Sequence, residues 1–320
     1  MRIFRPATSL PKLVRCYSTQ PTPLVRVLDV PAPGSGRIRI LSLARPAARN
    51  AISRQLLQEL RTNIDFVASE YDSNGDEVPA KKIFGGAAGA DQKGPTRAVV
   101  LASDVDSSFC AGADLKERAG FTAEETAAFL ANLRNTFTAL STLPVPTISA
   151  ISSLALGGGL ELALCTHMRV LASTAQVGLP ETRLGIIPGA GGTYRLPAII
   201  GLSRARDMIL TGRRVSAAEA YFLGIADRLV EVRPEEGKEG EEHRAELMAK
   251  AKDVVLSVAV RLAGEICAGG PVAVRGALKA VGYAREEVEN EMYERVVGTE
   301  DRNEALVAFR EKRTPVFKGR

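Results

Sequence analysis

Residues 154–164, with the sequence LALGGGLELAL, indicate both the fold class and the position of a site. The segment begins like an apolar strand, has glycines at 157 to 159, and continues with a helical pattern from about Leu160. Consecutive glycines let the chain turn sharply and leave bare peptide N–H groups at a helix N-terminus. Such groups stabilise negative charge, for example on a carbonyl oxygen. The segment predicts a strand–turn–helix unit that stabilises an anion, or, as the alternative, only close helix–strand packing.

A nucleotide phosphate is a poorer fit to this turn. No Lys-Ser/Thr pair follows the glycines as a P-loop requires, and the third glycine of the dinucleotide-binding fingerprint is missing. A second small-residue turn, Ala111 to Ala113, follows the short apolar stretch at Phe109 and Cys110. It supplies a further N–H donor, and two backbone donors form an oxyanion hole.

Two carboxylates accompany these turns. Glu161 lies in the first turn of the predicted helix, where the helix dipole favours its ionised form and apolar neighbours oppose it, as suits a general base. Glu181 follows Pro180 in a non-helical apolar stretch, where a raised pKa allows it to hold and donate a proton. Twenty residues separate them, so the spacing does not show that they meet. A helix-capping role for Glu161 and a solvated loop position for Glu181 are the alternatives.

The rest of the chain predicts an α/β fold with a helical C-terminal region. Apolar strands separated by helical stretches favour parallel pairing. We expect a mobile surface insertion at 70–95 that contributes little to the core. The predicted elements are a hairpin at 24–30 and 37–43, strands at 98–102 and 145–151, and helices at 53–69 (capped by Ser53), 123–140 (capped by Thr122 with Glu125), 245–266, 272–297 and 302–310. The predicted division is a leader at 1–20, a core at 21–232 and a C-terminal region at 233–320.

The composition narrows the functional classes. Residues 1–20 carry four basic and no acidic residues, so the net charge without them is +5 − 4 = +1. This leader has the composition of a mitochondrial transit peptide and predicts import into the matrix, a disordered basic tail being the alternative. Four scattered cysteines and two histidines, of which His167 is expected to be structural, disfavour disulfides, metal sites and His-based triads. No apolar run reaches membrane-spanning length, so we expect a soluble protein without membrane contact.

Three motifs in this order resemble the crotonase, or enoyl-CoA hydratase/isomerase, superfamily: FCAGADLKE at 109–117, ALGGGLELAL at 155–164 and PETRLGIIPGAGGTYRLP at 180–197. The resemblance covers most of residues 24–320. LPVPTI at 143–148 and LVAFREKRTPVFKG at 306–319 resemble the methylglutaconyl-CoA hydratase branch, which also binds AU-rich RNA. This resemblance implies a crotonase-type ββα spiral core and hydration of 3-methylglutaconyl-CoA, as in leucine degradation, or of a short-chain enoyl-CoA.

The resemblance also implies roles for individual residues. The N–H groups of Ala113 and Gly158 hold the thioester oxygen, Glu161 chiefly activates a water, and Glu181 chiefly supplies a proton to the α-carbon. No metal or redox cofactor is implied, since coenzyme A is part of the substrate. The C-terminal region is expected to form trimers, or hexamers as dimers of trimers, and to bind CoA across a subunit boundary. The expected CoA contacts are Arg45, Ala111, Asp114, Leu115, Lys116, Phe317 and Lys318.

Two alternative functions are weighed against hydration. Superfamily members that only isomerise often lack one of the two glutamates, whereas this chain has both. RNA binding in the similar branch is attributed to a row of lysines on the first helix. Here that helix has only Arg54 and Arg61, offset by Glu59 and Asp65, so RNA binding is not expected. Arg183 is a candidate partner for the distal carboxylate of a methylglutaconyl group.

Overall fold

The computed structural model describes residues 22–79, 94–234 and 240–320; the predicted leader lies outside them. Ten strands are present in the described chain. They are β1 (Val25–Pro31), β2 (Arg37–Leu43), β3 (Thr96–Ser103), β4 (Ser108–Cys110), β5 (Thr147–Ile151), β6 (Leu154–Leu156), β7 (Met168–Ala172), β8 (Gln176–Gly178), β9 (Arg214–Ser216) and β10 (Arg228–Val230). The predicted hairpin is confirmed as the antiparallel pair β1–β2.

The strands form two sheets that the chain visits alternately. The larger sheet has the order β1-β2-β3-β5-β7-β10, and the smaller has the order β4-β6-β8-β9. Each of β3, β5 and β7 in the large sheet is followed by one short strand of the small sheet, and all these neighbours pair in parallel. The ends of β4 and β6 therefore lie side by side, with the glycine turns directly after them.

Eleven α-helices accompany the sheets in the described residues. They are α1 (Arg54–Ala68), α2 (Leu115–Arg118), α3 (Ala123–Ser141), α4 (Gly158–Leu164), α5 (Gly192–Ile200), α6 (Leu202–Thr211), α7 (Ala217–Leu223), α8 (Glu241–Cys267), α9 (Pro271–Tyr283), α10 (Glu286–Val297) and α11 (Glu300–Glu311). Two predicted caps are confirmed: Ser53 Oγ accepts from Leu56 N at 3.2 Å, and Thr122 with Glu125 forms a capping box.

The large sheet is buried on both faces. Side chains of a strand alternate between the two faces, so β2 and β3 contribute to two apolar clusters. Leu41 and Leu101 face the cluster that contains α1, α3 and the small sheet, whereas Ile40 and Val100 face the long helix α8. This double burial explains the continuous apolar runs from which parallel strands were predicted.

The described part of the expected insertion differs from the prediction. Tyr71 is buried in the main cluster, and Glu70 binds Arg37 and the backbone N–H of Thr96. The expectation of little contribution to the core is therefore wrong for Glu70 and Tyr71, whereas residues 72–79 are exposed or half-buried. Glu70 is charged because it pairs with the buried Arg37. In a sequence, such a residue is indistinguishable from the polar residues of a surface loop. Residues 80–93 lie outside the described chain.

The C-terminal region is helical as predicted, but the expected helix at 272–297 is two helices. Ala284 has φ 49°, which ends α9, and α10 begins after it and packs back along α9. No single helix in the described residues is long and apolar enough to span a membrane. Helices α8 and α9 would meet that test only as a pair, and they are bent by 106°.

Candidate active site

The glycine turn after β6 is shaped by close approach to its neighbours. Gly157 has φ 54°, and its N–H donates to Gly178 O at 2.8 Å. Helix α4 then begins at Gly158. A β-carbon at Gly159 would stand 2.1 Å from Cys110 O, because the first turn of α4 lies against the end of β4. Close packing therefore explains Gly159, while Gly157 and Gly158 form the turn itself.

The second turn aims its N–H toward the first. Ile52 N–H donates to Gly112 O at 2.8 Å and Asp114 N–H donates to Ile52 O at 3.1 Å. In such a parallel bridge the residue between, Ala113, directs its own N–H away from Ile52. It faces α4, since a β-carbon on Gly158 would lie 3.5 Å from Ala113 N. The two predicted donors are neighbours.

Glu161 is held inside the protein by main-chain hydrogen bonds. Its side chain is only 2% exposed, and its Oε1 accepts from Ala190 N at 2.7 Å and from Gly192 N at 2.8 Å. Burial raises the pKa of Glu161, while these two bonds and the charges of Arg195 and Arg134 oppose the shift. The carboxylate is thus fixed in place and retains basic character.

Glu181 occupies a different environment. It begins a 3-10 turn, Glu181–Leu184, where a non-helical stretch was predicted, and it is 8% exposed. Its Oε2 is buried and has no hydrogen-bond partner among the described residues. Burial raises the pKa of Glu181 to about 7, its own backbone N–H opposes the shift, and the charge of Glu161 adds to it. The two carboxylates are therefore close enough to influence each other.

Arg45 and Asp114 form an ion pair beside the two turns. Arg45 Nη1 donates to Asp114 Oδ2 at 2.6 Å and to Ala51 O at 2.8 Å. Asp114 Oδ1 also caps α2 by accepting from its first N–H groups. Burial would raise the pKa of Asp114, but the hydrogen bond from Arg45 and the capping bonds outweigh it and lower the pKa. Ala111, Leu115 and Lys116 are exposed next to this pair.

The model of the family described as Enoyl-CoA hydratase/isomerase matches residues 88–320 of this chain. The chain belongs to this family. A protein named methylglutaconyl-CoA hydratase 1, mitochondrial, from Pyricularia oryzae is 66% identical over 316 residues, covering 96% of this chain and 90% of that protein. A mitochondrial methylglutaconyl-CoA hydratase from Mus musculus is 38% identical over 289 residues, covering 88% and 80% respectively.

Solved structures of this family have the same architecture. The crystal structure of an enoyl-CoA hydratase from Bacillus anthracis superimposes with a TM-score of 0.75 at 36% identity, covering 93% of this chain and all of that chain. The crotonase-type core with a helical C-terminal region, predicted from the motifs, is thereby confirmed.

One chain of this hydratase/isomerase does not bring all the expected CoA contacts together. Phe317 lies beside the turn before β2, where a β-carbon on Gly34 would be 3.4 Å from Phe317 O. Lys318 follows it, and its N–H donates to Asp301 at 2.7 Å. Arg45, in contrast, follows the opposite end of β2. The tail residues and the group around Arg45 are therefore separated by the length of this strand.

Several features of the site were not predicted from the sequence. Arg134 on α3 and Arg195 on α5 approach the turn that binds Glu161; Arg134 lies outside the motifs, and Arg195 lies in the third motif but was assigned no role. Arg183, the residue predicted as a candidate partner for a distal carboxylate, donates to Thr211 O at 2.9 Å and packs over Gly212. The one feature of the sequence that pointed to these contacts was the cluster of glycines at 189–192, because such glycines mark a place where other groups approach the backbone closely.

The remaining expectations concern metals, His167 and nucleic acid. Within the described ranges no group of three or more His, Cys, Asp or Glu side chains is arranged to hold a metal. His167 is structural: its Nδ1 accepts from Thr147 N at 3.0 Å, and burial, followed by the charge of Arg169, lowers its pKa to about 4. On α1, Arg54 is paired with Glu125 and Arg61 with Asp65.

Proposed function

We propose that this protein is an enoyl-CoA hydratase, a hydro-lyase that adds water across the C2=C3 bond of a 2-enoyl-CoA. The observation that carries the proposal is the pair of buried carboxylates with unlike environments beside two adjacent N–H donors. Glu161 Oε1 accepts two main-chain hydrogen bonds, whereas Glu181 Oε2 is buried without a partner among the described residues, and such unlike environments separate a base from an acid.

The substrate we propose is 3-methylglutaconyl-CoA, with short-chain enoyl-CoA as the alternative. The identity of 66% to a mitochondrial methylglutaconyl-CoA hydratase supports both this substrate and a mitochondrial location. The composition of residues 1–20 supports import into the matrix. The reaction would then be a hydration in leucine degradation.

The first chemical task is to polarise the thioester. The N–H groups of Ala113 and Gly158 would donate to the thioester oxygen, and the N-terminus of α4 adds its partial positive charge. This makes C3 electrophilic and stabilises the enolate that forms when C3 is attacked. One such donor contributes roughly 3 kcal/mol of transition-state stabilisation in mutational series.

The second task is to move two protons. Glu161 would accept a proton from a water as the water oxygen forms a bond to C3 and the C2=C3 electron pair shifts toward the thioester. Glu181, protonated, would then deliver its proton to C2. Transfer of the proton from Glu161 to Glu181 through solvent restores the starting state, so the sum is one water added. Neither step uses a metal or redox cofactor.

Isomerisation is the second candidate, because the family includes isomerases. Moving a double bond requires one carboxylate that removes a proton from one carbon and returns it to another. In this chain both carboxylates are buried and close enough for their charges to interact, which favours hydration. RNA binding is a weaker candidate, since the two arginines of α1 are already paired with acids.

The decisive experiment compares kcat/KM on crotonyl-CoA and on 3-methylglutaconyl-CoA for the leaderless protein and for Glu161→Gln and Glu181→Gln. We expect both variants to lose about 100-fold or more, the size of one general acid–base contribution. Near-full rate in either variant would show that the two-carboxylate mechanism is wrong. A preference for crotonyl-CoA would leave the hydratase proposal intact and reject the substrate.

The separation of the expected CoA contacts within one chain supports a proposal about assembly. We propose that the protein forms trimers, or hexamers built from two trimers. The group of Arg45, Ala111, Asp114, Leu115 and Lys116 in one subunit would bind CoA together with Phe317 and Lys318 of another. Light scattering of the leaderless protein measures its oligomeric state directly. A gel shift with AU-rich RNA at physiological salt tests the RNA-binding alternative.

A further inference from the structure

The turn that binds Glu161 is itself weakly constrained by its sequence. Residues 188–192 read PGAGG, and Gly191 has φ 115°. Glycine-rich backbone loses much conformational entropy when it is fixed, so this turn requires external contacts to hold its N–H groups toward Glu161.

One of the two donors to Glu161 is fixed by a helix. Gly192 N–H belongs to the same peptide group as Gly191 C=O, which accepts from Arg195 N at 2.8 Å in the first turn of α5. Because the peptide is planar, holding the carbonyl also fixes the direction of the N–H. The Gly192 donor therefore depends on main-chain contacts.

The other donor is fixed by a side chain. Ala190 N–H belongs to the peptide whose carbonyl is Gly189 O, and this oxygen accepts from Arg134 Nε at 2.7 Å. The opposite end of the same peptide donates to Glu161 Oε1 at 2.7 Å. A guanidinium on one side of a peptide and a carboxylate on the other polarise it in the same sense, which strengthens both hydrogen bonds.

We infer that Arg134 is a positioning residue for Glu161 and acts through the Gly189–Ala190 peptide, while Arg195 holds the next carbonyl, Ala190 O, at 3.0 Å. This inference rests on the proposed function, in which Glu161 is the base. Arg134 is exposed on α3 and makes its contact from outside the site, so its loss leaves the core intact. A substitution of Arg134 can therefore disturb the position of Glu161 without disturbing the fold.

The charges around Glu161 allow the role of Arg134 to be tested through the pH dependence of kcat. The groups that face it are Glu181 from the 3-10 turn, Arg195 from α5 and Arg134 from α3, while Cys165 on its own helix donates to its backbone carbonyl. Both arginines lower the pKa of Glu161. Without Arg134 that pKa rises, so the low-pH limb of the kcat profile moves to higher pH.

The test uses Arg134→Gln, with Arg61→Gln as the control because Arg61 is a surface-paired arginine on α1. We expect kcat of Arg134→Gln to fall about tenfold, the effect of one charge-assisted hydrogen bond acting indirectly, with KM little changed. The loss should be equal on crotonyl-CoA and on 3-methylglutaconyl-CoA. Arg134→Lys, which keeps the charge, should lose less, and Arg61→Gln should behave as wild type.

A double-mutant cycle gives the sharper readout. In the Glu161→Gln background, Arg134→Gln should cause no further loss, since its effect passes through Glu161. Wild-type kcat and pH profile in Arg134→Gln, the same loss in both backgrounds, or a loss confined to 3-methylglutaconyl-CoA would overturn the inference. A wild-type protein without hydratase activity, or a Glu161→Gln variant of near-full rate, would instead refute the proposed function and this inference with it.

Discussion

The carboxylate of Glu181 lies directly against Cα of Gly157, so that a β-carbon at position 157 would stand 2.8 Å from Glu181 Oε1. The glycine thus gives the carboxylate its place at the turn where the thioester oxygen is proposed to bind. Its φ of 54° adds a backbone reason for the same residue.

Gly157→Ala should therefore separate a loss of activity from a loss of folding. The methyl group displaces the carboxylate, and a displacement of about 1 Å at a reacting group costs about 100-fold in kcat. The positive φ adds about 1–3 kcal/mol of strain. Gly224→Ala is the control, because φ there is 89° with open space around it, so it should lose stability without losing kcat. Equal activity in the two variants would contradict the prediction.

Glu181→Gln should gain stability at alkaline pH while losing activity. The pKa of Glu181 is about 7 in the folded protein against an ordinary 4.5, so the folded state holds a proton that the unfolded state releases. Stability therefore falls as pH rises through this window, and the glutamine variant escapes the loss. Its Tm should exceed that of wild type at pH about 8 and match it near pH about 4.5. Glu265→Gln, exposed on α8, serves as the control.

Two glycines should respond to alanine in opposite directions. A β-carbon at Gly159 would meet Cys110 O at 2.1 Å, and because backbone cannot move aside easily, Gly159→Ala should lose about 3 kcal/mol of unfolding free energy. Gly264 lies inside α8 with no atom within 4 Å of the added carbon. Gly264→Ala should therefore gain about 0.5–1 kcal/mol from helix propensity. Urea unfolding of both variants measures the difference.

Glu77 should be required for attaching the C-terminal helices. Its Oε1 binds Arg97 and lies 3.0 Å from Arg275 Nη1 on α9, and both arginines are buried. Glu77→Ala leaves two buried cations without this carboxylate, which should lower the unfolding free energy by about 3 kcal/mol. Glu231→Ala removes an exposed pair with Arg233 and should leave the unfolding free energy unchanged. A small effect of Glu77→Ala in urea unfolding would show that other contacts attach these helices.

Local rules of sequence predicted much of the fold. Ser53 and Thr122 were recognisable as caps because each stands just before a helical pattern, and apolar periodicity identified α1 and α3. The break at Ala284 was not recognisable, since alanine is a strong helix former and only tertiary contacts favour its left-handed conformation. The same limit applies to Tyr71 and Glu77, both of which contact Arg275, a residue distant in the chain.

For the site, the sequence indicated which residues take part but not that they lie close together. Glu161 was placed correctly at a helix N-terminus, whereas its proximity to Glu181 depends on how β6 and β8 pair. The motif resemblance, in contrast, implied that the two carboxylates flank one water. The role of Arg134 could not be predicted, because an exposed arginine in a helix gives no sign that it contacts the carbonyl of Gly189, 55 residues away.

Both hydrogen bonds that hold Glu161 Oε1 come from the peptide chain and not from side chains. Substitutions around the acyl group can therefore accumulate during evolution without altering the ligands of the base, provided the turn keeps its path. A family built in this way can diversify its substrates while inheriting one acid–base pair. The path of the main chain between Pro188 and Gly192 therefore determines where the base lies, whatever acyl group the pocket accepts.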